Sequence, residues 1–239
     1  MDNKLNNAEE KKESDEFTGY YKGFDENGKV INEANYVEGR LEGEAIIYHE
    51  ESDKISQRAK FVSSKANGQS VSYNKDGSIV QTANFKEGKL NGEMLIFEDG
   101  QVLAKIMFLN GLQNGPAEFY NIDGTLTSKV NYFNGKLTGE SLSYDSLSRL
   151  LIKSFYKDGK LFGKKTEYYS SGNIREVSSY VNGKLEGEYV KYYENGQERE
   201  VKYYKEGKPY GELIEYSEDG KQKTEAKEKK SFFDKFIKS

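Results

Sequence analysis

Residues 180–197 read YVNGKLEGEYVKYYENGQ, and the fold can be worked out from them. Gly183 and Gly187 stand four apart. Tyr180 precedes the first glycine by three residues, Tyr192 follows the second by five, and Asn195-Gly196 closes the phrase. Asn-Gly supplies the positive-φ positions of a tight turn between two strands. Between glycine and turn the residues alternate with period two, as expected of a strand with one covered face. The phrase therefore reads as a β-hairpin, and the paired glycines form a second connection that leads into the next one.

The phrase recurs along the chain. With the second glycine as anchor, it falls at Gly19, Gly43, Gly68, Gly92, Gly115, Gly139, Gly163, Gly187 and Gly211, at spacings of 23 to 25 residues. Five residues after every anchor stands an aromatic: Phe24, Tyr48, Tyr73, Phe97, Tyr120, Tyr144, Tyr168, Tyr192 and Tyr216. Ser64 takes the place of the first glycine in one unit, and the Asn/Asp-Gly turn is missing around Ser52-Asp53 and Ser148-Arg149, where the tips are expected to be longer or irregular. Internal repetition at such a period marks a stacked array. The expected fold class is all-β: an elongated, twisted, single-layer antiparallel sheet of about nine tandem β-hairpins, with a short C-terminal helix. The aromatics at the fifth position are expected to form one continuous buried row. The domain reading is an acidic leader over 1–16, the hairpin array over 17–220, and a Lys-rich linker with an amphipathic helix over 221–239.

The unit resembles the MORN repeat, and within it the bacterial variant of the YwqK-family antitoxin type. The resemblance spans residues 17–220. It implies a binding or scaffolding role, toxin partners for some members and phospholipid association for others, and no catalytic residues.

Composition narrows the function classes. The chain has 239 residues, of which 35% are hydrophobic and 32% charged, yet it has 19 Tyr and 13 Phe, too many aromatics for a disordered chain. No apolar run approaches the ~18 residues of a membrane-spanning helix. With no Cys and one His, His49, there is no thiol nucleophile and no multi-His or Cys-based metal site, so neither cofactor nor metal is expected. The leader carries a net charge of −3, the tail +4 and the body −5. An acidic body does not suit nucleic acid, whose phosphates call for clustered Lys and Arg. It suits a basic protein partner. The leader has no apolar h-region, which reads as a cytoplasmic chain unless a signal has been removed.

Two groups of candidate site residues stand out. Tyr169, Tyr189, Tyr193 and Tyr203 fall, by simple alternation, on the otherwise polar face beside Glu167, Glu194 and Glu198. Large aromatics grouped in adjacent units suit interface anchors, and cross-strand packing is the alternative. In the tail, Phe232, Phe233, Phe236 and Ile237 form one helical stripe. That stripe would either cap the array or contact a membrane or partner. The leading expectation is a non-enzymatic antitoxin or immunity-type inhibitor that occludes a toxin or effector enzyme. The alternative is a structural or membrane-associated scaffold.

Overall fold

The computed structural model describes residues 16–50 and 52–223. The expected C-terminal helix, with Phe232, Phe233, Phe236 and Ile237, lies outside them, as does most of the leader. Every named element is a β-strand, and the strands pair antiparallel. The all-β hairpin fold read from the sequence is the fold observed. The chain divides into two compact units, 1–138 with 146–148, and 139–145 with 149–239. The first contains β1 (Gly19–Phe24), β2 (Val30–Val37), β3 (Arg40–Tyr48), β4 (Ile55–Val62), β5 (Lys65–Tyr73), β6 (Ile79–Lys86), β7 (Lys89–Glu98), β8 (Gln101–Leu109), β9 (Leu112–Tyr120), β10 (Leu126–Phe133) and β11 (Lys136–Leu137). The second contains β12 (Gly139–Tyr144), β13 (Leu150–Lys157), β14 (Lys160–Leu161), β15 (Gly163–Tyr168), β16 (Ile174–Val181), β17 (Lys184–Tyr192), β18 (Glu198–Lys205) and β19 (Lys208–Glu215).

Two kinds of turn alternate. At the paired-glycine connection a two-residue loop such as Glu38-Gly39 has both residues at positive φ, 49° and 70°, so its twist matches that of the flanking strands. Successive turns of this kind are stitched together: Gly88 N–H donates to Ala66 O at 2.8 Å and Gly111 N–H to Leu90 O at 2.8 Å. Ser64 does the same with its own N–H and also accepts from Leu41 N–H through its hydroxyl, so replacing this glycine costs no hydrogen bond. At the opposite tips three-residue loops prevail. In one of them Tyr193 N–H donates to Gln197 O and Gly196 N–H to Tyr193 O. Of the two tips that lack the Gly signal, the one at His49 is a residue longer, closing on Lys54. The other keeps its length, with Ser148 held at φ 59° where glycine otherwise stands.

All eight closed hairpins share an irregularity that simple alternation does not reveal. Tyr73 pairs with Ile79 but Ser72 pairs with Gln81, so Val80 is an extra residue in the second strand. Ile31, Ser56, Leu103, Thr127, Leu151, Arg175 and Arg199 are the extra residues in the other seven. A one-residue bulge moves every later side chain to the opposite face. Ile79 therefore stands with Tyr73, while Ala83 and Phe85 stand on the other side with Ser70.

This corrects the expectation of one buried aromatic row. The aromatics five residues after the anchors occupy the face opposite Phe61, Phe85 and Phe108, and none is buried; Phe24 is 56% exposed. The buried positions belong to small and branched residues. In the first unit Ala104, Ile106, Ala117 and Val130 form a core, with Ile96, Phe108, Phe119, Tyr132 and Leu137 leaning against it. A sheet buried this way fills its centre with short side chains because the flanking aromatics fold over them.

In the second unit Ser178 is 1% exposed and its hydroxyl has no partner among the described residues. The equivalent slots of earlier hairpins hold Ala34 and Ala83. Removing an unpaired buried hydroxyl restores no lost bond and relieves its desolvation cost, so Ser178→Ala is expected to raise stability by about 1 kcal/mol. Thermal denaturation checks this, and a lower melting temperature would show that the hydroxyl is in fact satisfied.

Candidate interaction surface

The bulges give the first unit two unlike faces. Strand pairing lines up Tyr21, Ala34, Ala45, Ala59, Ser70, Ala83, Met94, Ile106, Ala117 and Val130 in one row across β1 to β10. On the same face one flanking row carries Asn32, Ile47, Gln57, Ser72, Gln81, Ile96, Ala104, Phe119 and Ser128. The other carries Tyr36, Phe61, Phe85, Phe108 and Tyr132, which pair alternately with anchor glycines and with Leu41, Ala66, Leu90, Gln113 and Leu137. These three rows contain no acid and no base. Over the first three hairpins the face opens into a groove of about 480 Å³, floored by Ala34, Ala45 and Ala59 and walled by Tyr21, Tyr36, Phe61 and Phe85.

The charges of the first unit gather on its other face. Lys22 and Glu33 pair at 3.0 Å, and Lys129 and Glu118 at 3.0 Å. Tyr20 donates to Glu33, and Tyr120 to Glu118 at 2.7 Å. The Tyr20 hydroxyl and then Lys22 hold Glu33 below the usual carboxylate range, and Tyr120 and then Lys129 do the same for Glu118.

In the second unit β12 and β13 keep Ser141, Ser143, Ile152 and Ser154 in the equivalent rows, but from β15 to β18 those rows take in Lys165, Glu167, Glu176, Tyr189, Lys191 and Glu200 beside Ser178. Lys165 pairs with Glu167 at 2.6 Å, Arg175 also meets Glu167, Lys191 pairs with Glu200 at 3.1 Å, and Tyr189 donates to Glu176 at 2.6 Å. Burial pushes Glu167 up, but its two cations outweigh that and hold it low. Apolar burial moves to the opposite face, where Val190 pairs with Val201 and Thr166 with Val177.

Burial, then the hydrogen bond to Glu176, raises the Tyr189 hydroxyl well above an ordinary tyrosine. Burial likewise raises Tyr48 and Tyr120. A tyrosine whose folded pKa is raised stabilises fully below its unfolded value of about 10, and loses that contribution as the pH climbs through the folded value. The protein is therefore expected to unfold on the alkaline side, with part of the tyrosinate absorbance at 295 nm appearing only as the sheet is lost. Titration of every tyrosine near pH 10 with unchanged circular dichroism would contradict this.

The four tyrosines read as a cluster are not brought together. Tyr169 and Tyr193 sit at hairpin tips, where their hydroxyls donate to the carbonyls of Tyr192 at 2.7 Å and Tyr216 at 2.9 Å. Each tip is thus tied to the next. His49 serves the same place in the first unit, with Nε2 3.0 Å from Tyr73 O. Tyr189 and Tyr203 stand on opposite faces, because Tyr203 pairs with Glu188 and Tyr189 with Lys202. Tyr203 packs on Tyr210 and donates to Glu188 at 3.2 Å. The extra residue Arg199 is what separates them, since alternation counted through a bulge gives the wrong face. Glu167 is half-buried in its ion pairs, Glu194 lends its carbonyl to Asn173 at a tip, and Glu198 is exposed at the start of β18. The uncharged rows were missed for the same reason. Their signal is a column of Ala, Ser, Gln and aromatics free of charge, visible only once the extra residue is removed from each unit.

The arrangement defines a β-hairpin repeat protein whose first unit has one uncharged face. Residues 17–38 and 163–182 match the family model of the MORN repeat variant. No curated protein matches the chain. Solved structures similar to it include the GtfA/B complex bound to UDP and GlcNAc, at 15% identity over 46% of this chain and 22% of that one, with a TM-score of 0.22. A mutant of S. aureus TarM in complex with Fondaparinux, alpha-GlcNAc-glycerol and UDP is 15% identical over 59% of this chain and 21% of that one, with a TM-score of 0.18. TcdB2-TccC3 without its hypervariable C-terminal region is 11% identical over 85% of this chain and 12% of that one, with a TM-score of 0.22. The chain thus spans about a fifth or less of the length of these structures.

Proposed function

We propose that this chain is a non-catalytic protein-binding repeat scaffold that holds its partner against the uncharged face of the first unit, as an antitoxin or immunity-type inhibitor occluding a toxin or effector enzyme. The observation that carries the reading is the absence of any charged side chain from three rows crossing ten strands, on a sheet whose other face is laced with ion pairs. Half-buried aromatics over a floor of small residues give the desolvated centre that binding hot spots require. Occlusion needs only contact area and fit, with no catalytic group. The acidic body favours a basic partner by steering its approach.

The test is affinity capture from the source cell with the full chain as bait, beside Phe85→Asp on the uncharged face and Lys105→Glu on the charged face. The reading expects a stoichiometric partner that Phe85→Asp loses and Lys105→Glu keeps, with both variants melting as a single cooperative unit. A partner that Lys105→Glu loses and Phe85→Asp keeps would move the site to the other face.

A further inference from the structure

The groove over the first three hairpins has a repeat length, and that length selects among the shapes a bound chain can take. It crosses β1 to β6, with Tyr21, Ala34, Ala45, Ala59, Ser70 and Phe85 on successive strands. Equivalent positions lie two strands apart, at about 9.6 Å. A polyproline II chain rises about 3.1 Å per residue and brings every third side chain back to one side, at about 9.3 Å. Its mismatch is about 0.3 Å per hairpin. Two turns of α-helix advance about 10.8 Å, a misfit of more than 1 Å per hairpin. A β-strand shows the same side every second residue, at about 6.7 Å, and falls out of step at once.

Charge and hydrogen-bonding capacity agree with the length. A charged side chain entering this groove would lose its water and find no free counter-ion, because the one charged residue of the lining, Glu33, has its carboxylate paired with Lys22 and Tyr20. The row beside the floor offers amide donors from Asn32, Gln57 and Gln81. Gln57 already spends one N–H on Ser70 Oγ at 3.1 Å and has a second. A proline-rich chain lacks most of its backbone N–H groups and keeps all its carbonyls, so donors are what it lacks. Aromatic walls over a flat, small-residue floor suit its rings, and its stiffness lowers the entropy lost on docking.

We infer that this groove binds an uncharged, proline-rich segment of the partner in the polyproline II conformation, one apolar side chain in every third position seated over each hairpin. The inference rests on the protein-binding reading above and names the chemistry of the segment bound. The six strands span about 24 Å, which is eight or so residues of such a chain.

The test uses the full chain and two labelled nine-residue peptides, one repeating Pro-Pro-Leu and one of the same composition with its leucines contiguous, followed by fluorescence anisotropy. The repeating peptide is expected to bind at least tenfold more tightly than its isomer. Ala45→Arg is expected to weaken it at least tenfold; should that variant fail to fold, Gln57→Glu, which keeps the side chain's shape, is expected to weaken it severalfold. Equal binding of the two peptides, or indifference to both substitutions, would overturn the inference. So would a groove-dependent dimer in sedimentation, which would make a second copy the occupant. If neither peptide binds while captured partner still depends on Phe85, the polyproline assignment fails and the protein-binding reading stands. If the repeating peptide binds through the groove while captured partner ignores Phe85, the inhibitor reading fails and the groove assignment stands.

Discussion

Ala117→Asp is expected to cost about 3–5 kcal/mol, the range found when a buried charge is left without its partner. Ala117 is 1% exposed and lies between Ile106 and Val130 across the neighbouring strands, inside the core of the first unit. No base occurs in the rows of that face, so an aspartate there has nothing to pair with. The substitution also has a pH signature. Burial raises the carboxyl's folded pKa above its unfolded value of about 3.9, so the protonated form is the one the fold tolerates. The deficit relative to the parent protein should be smallest near pH 4 and grow as the pH rises. Paired denaturant titrations at pH 4 and pH 7 check it. A loss below 1 kcal/mol at pH 7 would mean that this row is hydrated and the core assignment wrong.

Gly115→Val is expected to cost about 2–4 kcal/mol, combining strain at a left-handed backbone with overpacking. Gly115 sits at φ 108°, and a Cβ there would lie 3.3 Å from the Met107 Cβ. Gly124, at the tip of the same hairpin, has φ 82° but open space around its missing side chain. Gly124→Ala therefore isolates the conformational part, expected at about 1 kcal/mol. Equal effects at the two glycines would show that the close approach at Gly115 is unimportant. Both glycines hold positive φ, and this pair of variants separates what each is for.

What was legible in the sequence follows from where its signals lie. Glycine at positive φ and Asn/Asp-Gly turns leave compositional marks, so the period, the hairpins and the all-β class could be read directly. The bulge leaves none. Ile31, Ser56, Val80, Leu103, Thr127, Leu151, Arg175 and Arg199 share no chemistry, because an extra residue at a bulge needs only to be accommodated. Missing it reversed the facing of half of every hairpin. It placed Tyr189 and Tyr203 in one cluster, where the register puts them on opposite faces. Tyr169 and Tyr193 escaped for another reason. Their hydroxyls reach carbonyls 23 residues on, a contact set by the stacking of hairpins and invisible to local alternation.

Which face of the first unit meets a partner is directly measurable, because the chain has no cysteine. Single cysteines placed at Ala45 and Phe85 on the uncharged face, and at Thr82 and Lys105 on the charged face, can be alkylated with and without captured partner. Partner is expected to slow alkylation at positions 45 and 85 by at least tenfold and to leave 82 and 105 unchanged. Protection at 82 and 105 with free reaction at 45 and 85 would contradict it.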